Sequence, residues 1–190
     1  MEKNRLEAFS DGVLAIIITI MILELGQPLG SGIEDLFALA PTLLGYLLSF
    51  MFLSIYWVNH HIIFHSAERI NLKILWCNIG WLFVISFIPF VTAWAGSYPT
   101  AWAPISVYFA DMFLASVAFH LMCYLIACEN GTKKEFRLDL RSISSLVIYF
   151  AAAVFGWVCP LVAYILVAAV SCWWIAPPKK KDNSLDNDNV

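Results

Sequence analysis

The chain has 190 residues, 61% of them hydrophobic and 13% charged, with a mean hydropathy of +0.77 and a formal net charge of -3. A single soluble core of this length cannot hide that much apolar surface, so the composition excludes a water-soluble globular domain and describes an integral membrane protein. The alternating segments of about ten residues that build membrane barrels are absent, which leaves an all-α bundle.

A membrane span takes about 20 mostly apolar residues, and six are predicted: 9–26, 35–64, 72–95, 103–127, 142–157 and 160–176. The first follows Lys3 and Arg5 as a signal peptide would. Asp11 interrupts its apolar run, however, and Gly26-Gln27-Pro28-Leu29 is no small-x-small cleavage site, so the helix is expected to be retained. An ionised side chain inside a bilayer costs about 2.5 to 3.5 kcal/mol on insertion scales, so Asp11 must face protein or water.

Further along the same helix, Ile16, Thr19 or Ile20, and Leu23 recur at helical spacing. Such a stripe is ordinarily a packing face. Several copies meeting around an axis would instead stack these side chains into hydrophobic rings that gate by dewetting. Glu24, at the outer end, is either solvated or concentrates cations at a mouth.

The second span carries Pro41, Gly45 and Ser49, and a kink is expected near Pro41. Its far end, Trp57-Val-Asn59-His60-His61, offers donors for Asp11, as does Asn78 in the third span. A network of Ser10 and Asp11 with Trp57, Asn59, His60 or His61, and Asn78 would satisfy groups that lipid cannot. Arg5 either joins it or snorkels to the headgroups.

Adjacent histidines on a helix point about 100° apart, and the one-turn pair His61 and His65 lacks the glutamate of an HExxH motif. Structural histidines are expected here, with no metal site. Pro89 should bend the outer end of the third span. Asp111 and His120 lie on one face of the fourth, the first expected near the outer surface and the second bonded to a neighbouring helix. The last two spans should form a tight hairpin around Gly156-Trp-Val-Cys-Pro160, with the polar segment 177–190 a disordered tail to a single domain over 1–176.

All 11 Lys and Arg fall at the start of the chain, in the connections after the second and fourth spans, and after the sixth. Basic residues accumulate on cytoplasmic flanks, so both termini are predicted to be cytoplasmic. That side also holds the sequon Asn130-Gly131-Thr132, which is therefore discounted, and the five scattered cysteines read as small core residues. There is no TVGYG-like filter, Arg-rich helix, nucleotide loop, hydrolase constellation or internal repeat. Enzymatic chemistry has no seat, and no cofactor is expected.

Arg5-x-x-x-Phe9-Ser10-Asp11, Trp57-x-Asn59-His60-His61, and Asn78 followed by Phe87-Ile-Pro89-Phe90 resemble the endosomal and lysosomal transmembrane potassium-channel family, in particular its bacterial members with one six-helix unit. The resemblance is carried by the first three spans. It implies a homotetramer in the cell inner (plasma) membrane, with the first helix of each subunit lining a central pore that passes K+ and other monovalent cations. It implies a tight ring at Ile16, with Ile20 and Leu23 above it. Thr19 aligns with a threonine tied to potassium preference, and whether Thr19 or Ile20 faces the axis depends on helix rotation. Arg5, Ser10 and Asp11 would hold the pore helix in place. The rival readings are a proton-coupled or small-solute transporter using Asp11, Asp111 and His120, and a non-conducting structural protein.

Overall fold

Two prolines and a handful of polar caps divide the described part of the apolar sequence into eight helices. A computed structural model describes residues 3–134 and 136–176, and among them every regular element is helical. The expected tail over 177–190 lies outside the described residues.

Helix α1 spans Lys3–Leu23, starting before the predicted apolar run because nothing in Lys3 to Phe9 breaks it. Gly26 then turns the chain with a φ of +70°, a conformation glycine adopts without steric cost. A short helix α2, Ile33–Ala38, and the long α3, Ala40–Ser66, meet at Leu39. The predicted kink near Pro41 is thus a break just before it, because Pro41 has no N–H to continue a ladder. The third apolar segment divides in the same way into α4, Leu72–Ile85, and α5, Ile88–Ser97, with Pro89 in the first turn of α5.

The fourth, α6, runs unbroken over Trp102–Glu129 and ends where Gly131, at φ +75°, lets Thr132 N–H return to the Ala127 carbonyl at 2.9 Å. Asp139 caps α7, Leu140–Phe155, by accepting from Ser142 N at 2.8 Å, and α8 occupies Pro160–Ile175 after the expected tight turn.

Four segments are long and apolar enough to cross a membrane: α1, α3, α4 with α5, and α6. The last two helices differ from the expected full spans. Each has 16 residues and rises about 24 Å, short of a hydrocarbon core of about 30 Å.

Helix α6 packs on α4, α5 and α7, while α3 packs on α1, α5 and α8. Between them lie fully buried aromatic side chains, with Trp81 as the hub: its ring sits 6.0 Å from Tyr56 and 5.7 Å from Phe119. Hydroxyls tie the same helices where a lipid environment offers no water. Ser49 Oγ lies 2.8 Å from Thr92 Oγ1 and 2.9 Å from Tyr108 Oη, and Tyr56 Oη donates to Ser116 Oγ at 2.7 Å. Cys77 and Cys123 are half-buried within this packing, but Cys128, Cys159 and Cys172 are exposed on the subunit and are not core residues.

At the basic end of the bundle, side chains close the helix termini. Asn130 accepts from Glu68 N at 3.1 Å and donates to the Ser66 carbonyl at 2.9 Å, so its amide links the ends of α6 and α3. Arg141 donates to the Ala176 carbonyl at 3.1 Å and lies over the Trp173 ring, closing the end of α8 from the start of α7.

Candidate functional site: the first helix and its clamp

One side of α1 is buried along Leu6, Ser10, Leu14, Ile17 and Met21, a helical stripe seated against α3, α4 and α5. At 3.6 residues per turn, Thr19 lies about 180° around the helix from the middle of that stripe, Leu23 about 140°, Ile16 about 120° and Ile20 about 80°. Their exposure follows the same order of side: Leu23 is 78% exposed and Ile16 58%, while Ile20 falls to 40% on the shoulder. Ala8, Gly12 and Ala15 continue the open face. From Ala8 to Leu23 a subunit therefore presents a face of α1 that is apolar apart from Thr19 and Asp11.

The Thr19 hydroxyl donates to the Ile16 carbonyl at 2.9 Å. That bond spends its proton locally and leaves the oxygen lone pairs free to accept. Beside the face runs an open groove of about 420 Å³, lined by Val13, Ile16, Ile17 and Ile20 of α1, by Glu24 just past its end, and by Ser86, Pro89 and Phe90 across from them. The break before Pro89 creates that opposite wall, because it turns Ser86 and Phe90 toward α1.

Near its basic end α1 is held by two sets of hydrogen bonds. In the buried set, Asn78 Nδ2 donates to Ser10 Oγ at 2.9 Å, and Asn78 Oδ1 lies 2.9 Å from His60 Nε2. A carbonyl oxygen can only accept, so Nε2 carries the proton. Ser10 passes its own proton to the Leu6 carbonyl at 2.9 Å. Trp81 stacks on the His60 ring at 5.2 Å between centroids, with planes 13° apart, and Phe64 covers it at 4.4 Å.

In the more open set, Trp57 Nε1 donates to Asp11 Oδ1 at 3.0 Å. Two turns away on both antiparallel helices, Lys3 Nζ donates to the carbonyls of His65 and Ala67 at 3.0 and 3.3 Å, closing the end of α3.

Ser10, Asp11, Trp57, His60 and Asn78 thus come together around α1. Three other residues expected with them stand apart within the subunit. Asn59 Nδ2 turns back to the Ile55 carbonyl of its own helix at 2.7 Å. His61 is exposed with its ring beside that of His65, 6.3 Å between centroids. Arg5 is exposed and donates to no described residue.

Asp111 is buried against neighbouring helices, and its Oδ2 has no partner among the described residues. His120 bonds the Ser116 carbonyl of its own helix at 2.7 Å in place of a neighbour. Sequence reasoning missed Lys3, whose charge was read only for orientation, and the stacking role of Trp81. The one signal for Trp81 was its position three residues after Asn78. No group of three or more His, Cys, Asp or Glu side chains is arranged to hold a metal ion among the described residues.

The pattern has close parallels. Residues 5–89, which include the whole clamp except Lys3, match the sequence model of the family described as endosomal/lysosomal potassium channel TMEM175. A potassium channel of Chryseobacterium sp. is 37% identical over 192 residues, covering 97% of this chain and 98% of that protein. A potassium channel of Streptomyces collinus is 30% identical over 164 residues, 82% of this chain and 79% of its own length. The crystal structure of a lysosomal potassium-selective channel TMEM175 homolog from Chamaesiphon minutus superposes with a TM-score of 0.71 at 28% identity, covering 92% of this chain and 99% of that one. With near-complete coverage in sequence and in fold, the chain belongs to the TMEM175 family.

Proposed function

We propose that the chain is a potassium-permeable cation channel of the plasma membrane, a homotetramer in which four copies of α1 surround the conduction path. The observation that carries this reading is the open face of α1, with Ile16, Thr19 and Leu23 turned away from the subunit body while Ser10 and Asp11 are gripped near the basic end. A helix that exposes its face to lipid has no need of such a clamp, whereas a pore-lining helix must hold its rotation against the side chains it presents.

In this arrangement Thr19 faces the axis and Ile20 lies on the shoulder, within the groove that a neighbouring copy of α1 would fill. Rings of Ile16 and Leu23 give an ion no ligands, so the open pore keeps most of the hydration shell and discriminates modestly among monovalent ions. Four Thr19 hydroxyl oxygens, their protons spent on Ile16 carbonyls, add a ring of acceptors that favours the ion more easily stripped of water. The role of Arg5, Asn59 and His61 in this scheme is peripheral. In this topology the six apolar segments cross the bilayer with both termini on the cytoplasmic side, the shorter α7 and α8 doing so through local thinning or snorkelling of flanking residues, and residues 1–176 form the channel domain.

The test is single-channel recording of the purified protein in bilayers under asymmetric K+ and Na+. Channel current reverses near the potassium equilibrium potential and is indifferent to a pH gradient at fixed K+. A reversal potential that moves with the pH gradient would replace this reading with proton-coupled transport, and a folded tetramer without flux would make the protein structural.

A further inference from the structure

We propose that a small chamber enclosed by α3, α6, α7 and α8 is a built water-binding site, in which one water molecule donates to both Asn59 and His120. The chamber has about 30 Å³ of space open to water-sized molecules and is lined by Tyr56, Asn59, His120, Ser145, Tyr149 and Trp174 together with apolar rings. That is room for roughly one or two waters and for nothing larger.

Its chemistry is unbalanced in one direction. Asn59 spends one amide N–H on the Ile55 carbonyl at 2.7 Å, which leaves its second N–H and the acceptor Oδ1. The partner of His120 Nδ1 is the Ser116 carbonyl at 2.7 Å, which can only accept; Nδ1 therefore carries the proton and Nε2 is a bare acceptor on the far side of the ring. Neither Asn59 Oδ1 nor His120 Nε2 accepts from a described residue.

The donors around them are committed elsewhere. Tyr56 Oη donates to Ser116 Oγ at 2.7 Å, Ser145 Oγ to the Arg141 carbonyl at 2.7 Å, and Trp174 Nε1 to Ser145 Oγ at 2.8 Å. The Tyr149 hydroxyl lies beside Ser171. Two free acceptors against a single uncommitted amide N–H, in a space of this size, fit a molecule with two O–H groups on one atom. A cation is a poorer match, because the lining contains no carboxylate.

The site stands behind the clamp. Helix α3 sends Trp57 and His60 toward α1 and turns Tyr56 and Asn59 to the chamber, so the water would join the clamp-bearing turn of α3 to α6 and α7. This inference does not depend on α1 lining a pore.

Two measurements test it. A cryo-electron microscopy or crystal map of the assembled wild-type protein, at a resolution that orders other internal waters, should contain a solvent peak within hydrogen-bond distance of both Asn59 Oδ1 and His120 Nε2. A map of that quality with no such peak overturns the proposal. Asn59→Leu and His120→Phe should each evict the same molecule, so the thermal shift of the double variant should be no larger than about that of the more damaging single one. Additive shifts would overturn it, and if a variant does not fold the wild-type map alone decides.

Discussion

Trp57 and Asp11 join α3 to α1 through a single bond, Nε1 to Oδ1 at 3.0 Å, at the only acidic side chain on the open face of the first helix before Glu24. A carboxylate at that depth is tolerable because an indole donor meets it. Trp57→Phe keeps the ring and deletes the donor, and should cost about 1 kcal/mol, below the roughly 1.5 to 3 of a buried charged hydrogen bond because both residues are exposed on the subunit. Asp11→Ala should do the same damage, and the double variant little more. Thermal unfolding in detergent measures it, with the yield of the proposed tetramer beside it; an Asp11→Ala protein with unchanged melting would remove this bond from the clamp.

Asn78 is the more costly residue to lose. It is fully buried and serves Ser10 with its amide N–H and His60 with its carbonyl. Asn78→Leu leaves the His60 N–H without an acceptor, at about 1 to 3 kcal/mol for such an orphan, and frees α1 from α4 at the same time. The expected total is about 2 to 4 kcal/mol. Ser10→Ala should fall below that because His60 keeps its partner. Equilibrium unfolding followed by tryptophan fluorescence separates the two, and equal losses would mean that Asn78 acts by packing alone.

These bonds were largely legible in the sequence, for a physical reason. A polar residue in an apolar span has few places to go, so Ser10, Asp11, Trp57, His60 and Asn78 could be paired before their geometry was known. Reasoning of that kind assigns partners and not directions, which is why it failed for Asn59 and His61. Both share a helix turn with His60, and only the rotation of α3 decides that His60 alone points at Asn78. Proline positions likewise announced interruptions near residues 41 and 89, yet bend and break look alike in sequence. Lys3 was hidden because a basic residue at a helix start serves topology as well as capping. The burial of Asp111 was hidden because hydropathy gives depth along α6 and not which neighbours cover it.

The rotation of α1 yields a prediction that separates Thr19 from Ile20. If Thr19 faces the axis, Thr19→Val should lower the preference for K+ over Na+ with little change in fold, since Thr19 is exposed on the subunit and bonds only to its own helix. Ile20→Val should leave the preference intact. Ion flux into liposomes under paired K+ and Na+ gradients reads both, and the opposite pattern would turn the helix by about 100° in this account.

At Ile16 the expectation concerns hydration. In the proposed tetramer, a side chain 58% exposed on the subunit would form a ring of four that holds the narrowest point dry. Ile16→Asn should wet it, raising leak and lowering the K+ over Na+ preference in the same flux measurement. An unaltered conductance and ratio would take Ile16 away from the axis.

The packing beneath the clamp can be probed where two helices approach most closely. A Cβ placed on Gly96 of α5 would stand 2.7 Å from the Cα of Thr42 and 2.8 Å from its Oγ1, and a backbone atom in α3 cannot rotate aside. Gly96→Ala must therefore push α5 off α3, one turn from the place where Thr92 meets Ser49 at 2.8 Å. Overpacking of this kind costs about 1 to 3 kcal/mol. Gly80 of α4 offers the contrast, since a Cβ there meets no atom within 4 Å of its ideal position. Relief of glycine's backbone freedom in a helix should make Gly80→Ala neutral or more stable by up to about 1 kcal/mol. Melting temperatures of the two variants should move in opposite directions from wild type or, at least, Gly96→Ala alone should fall. Equal behaviour would mean that α3 and α5 slide freely, and that the seat of α1 formed by these helices is softer than its hydrogen bonds require.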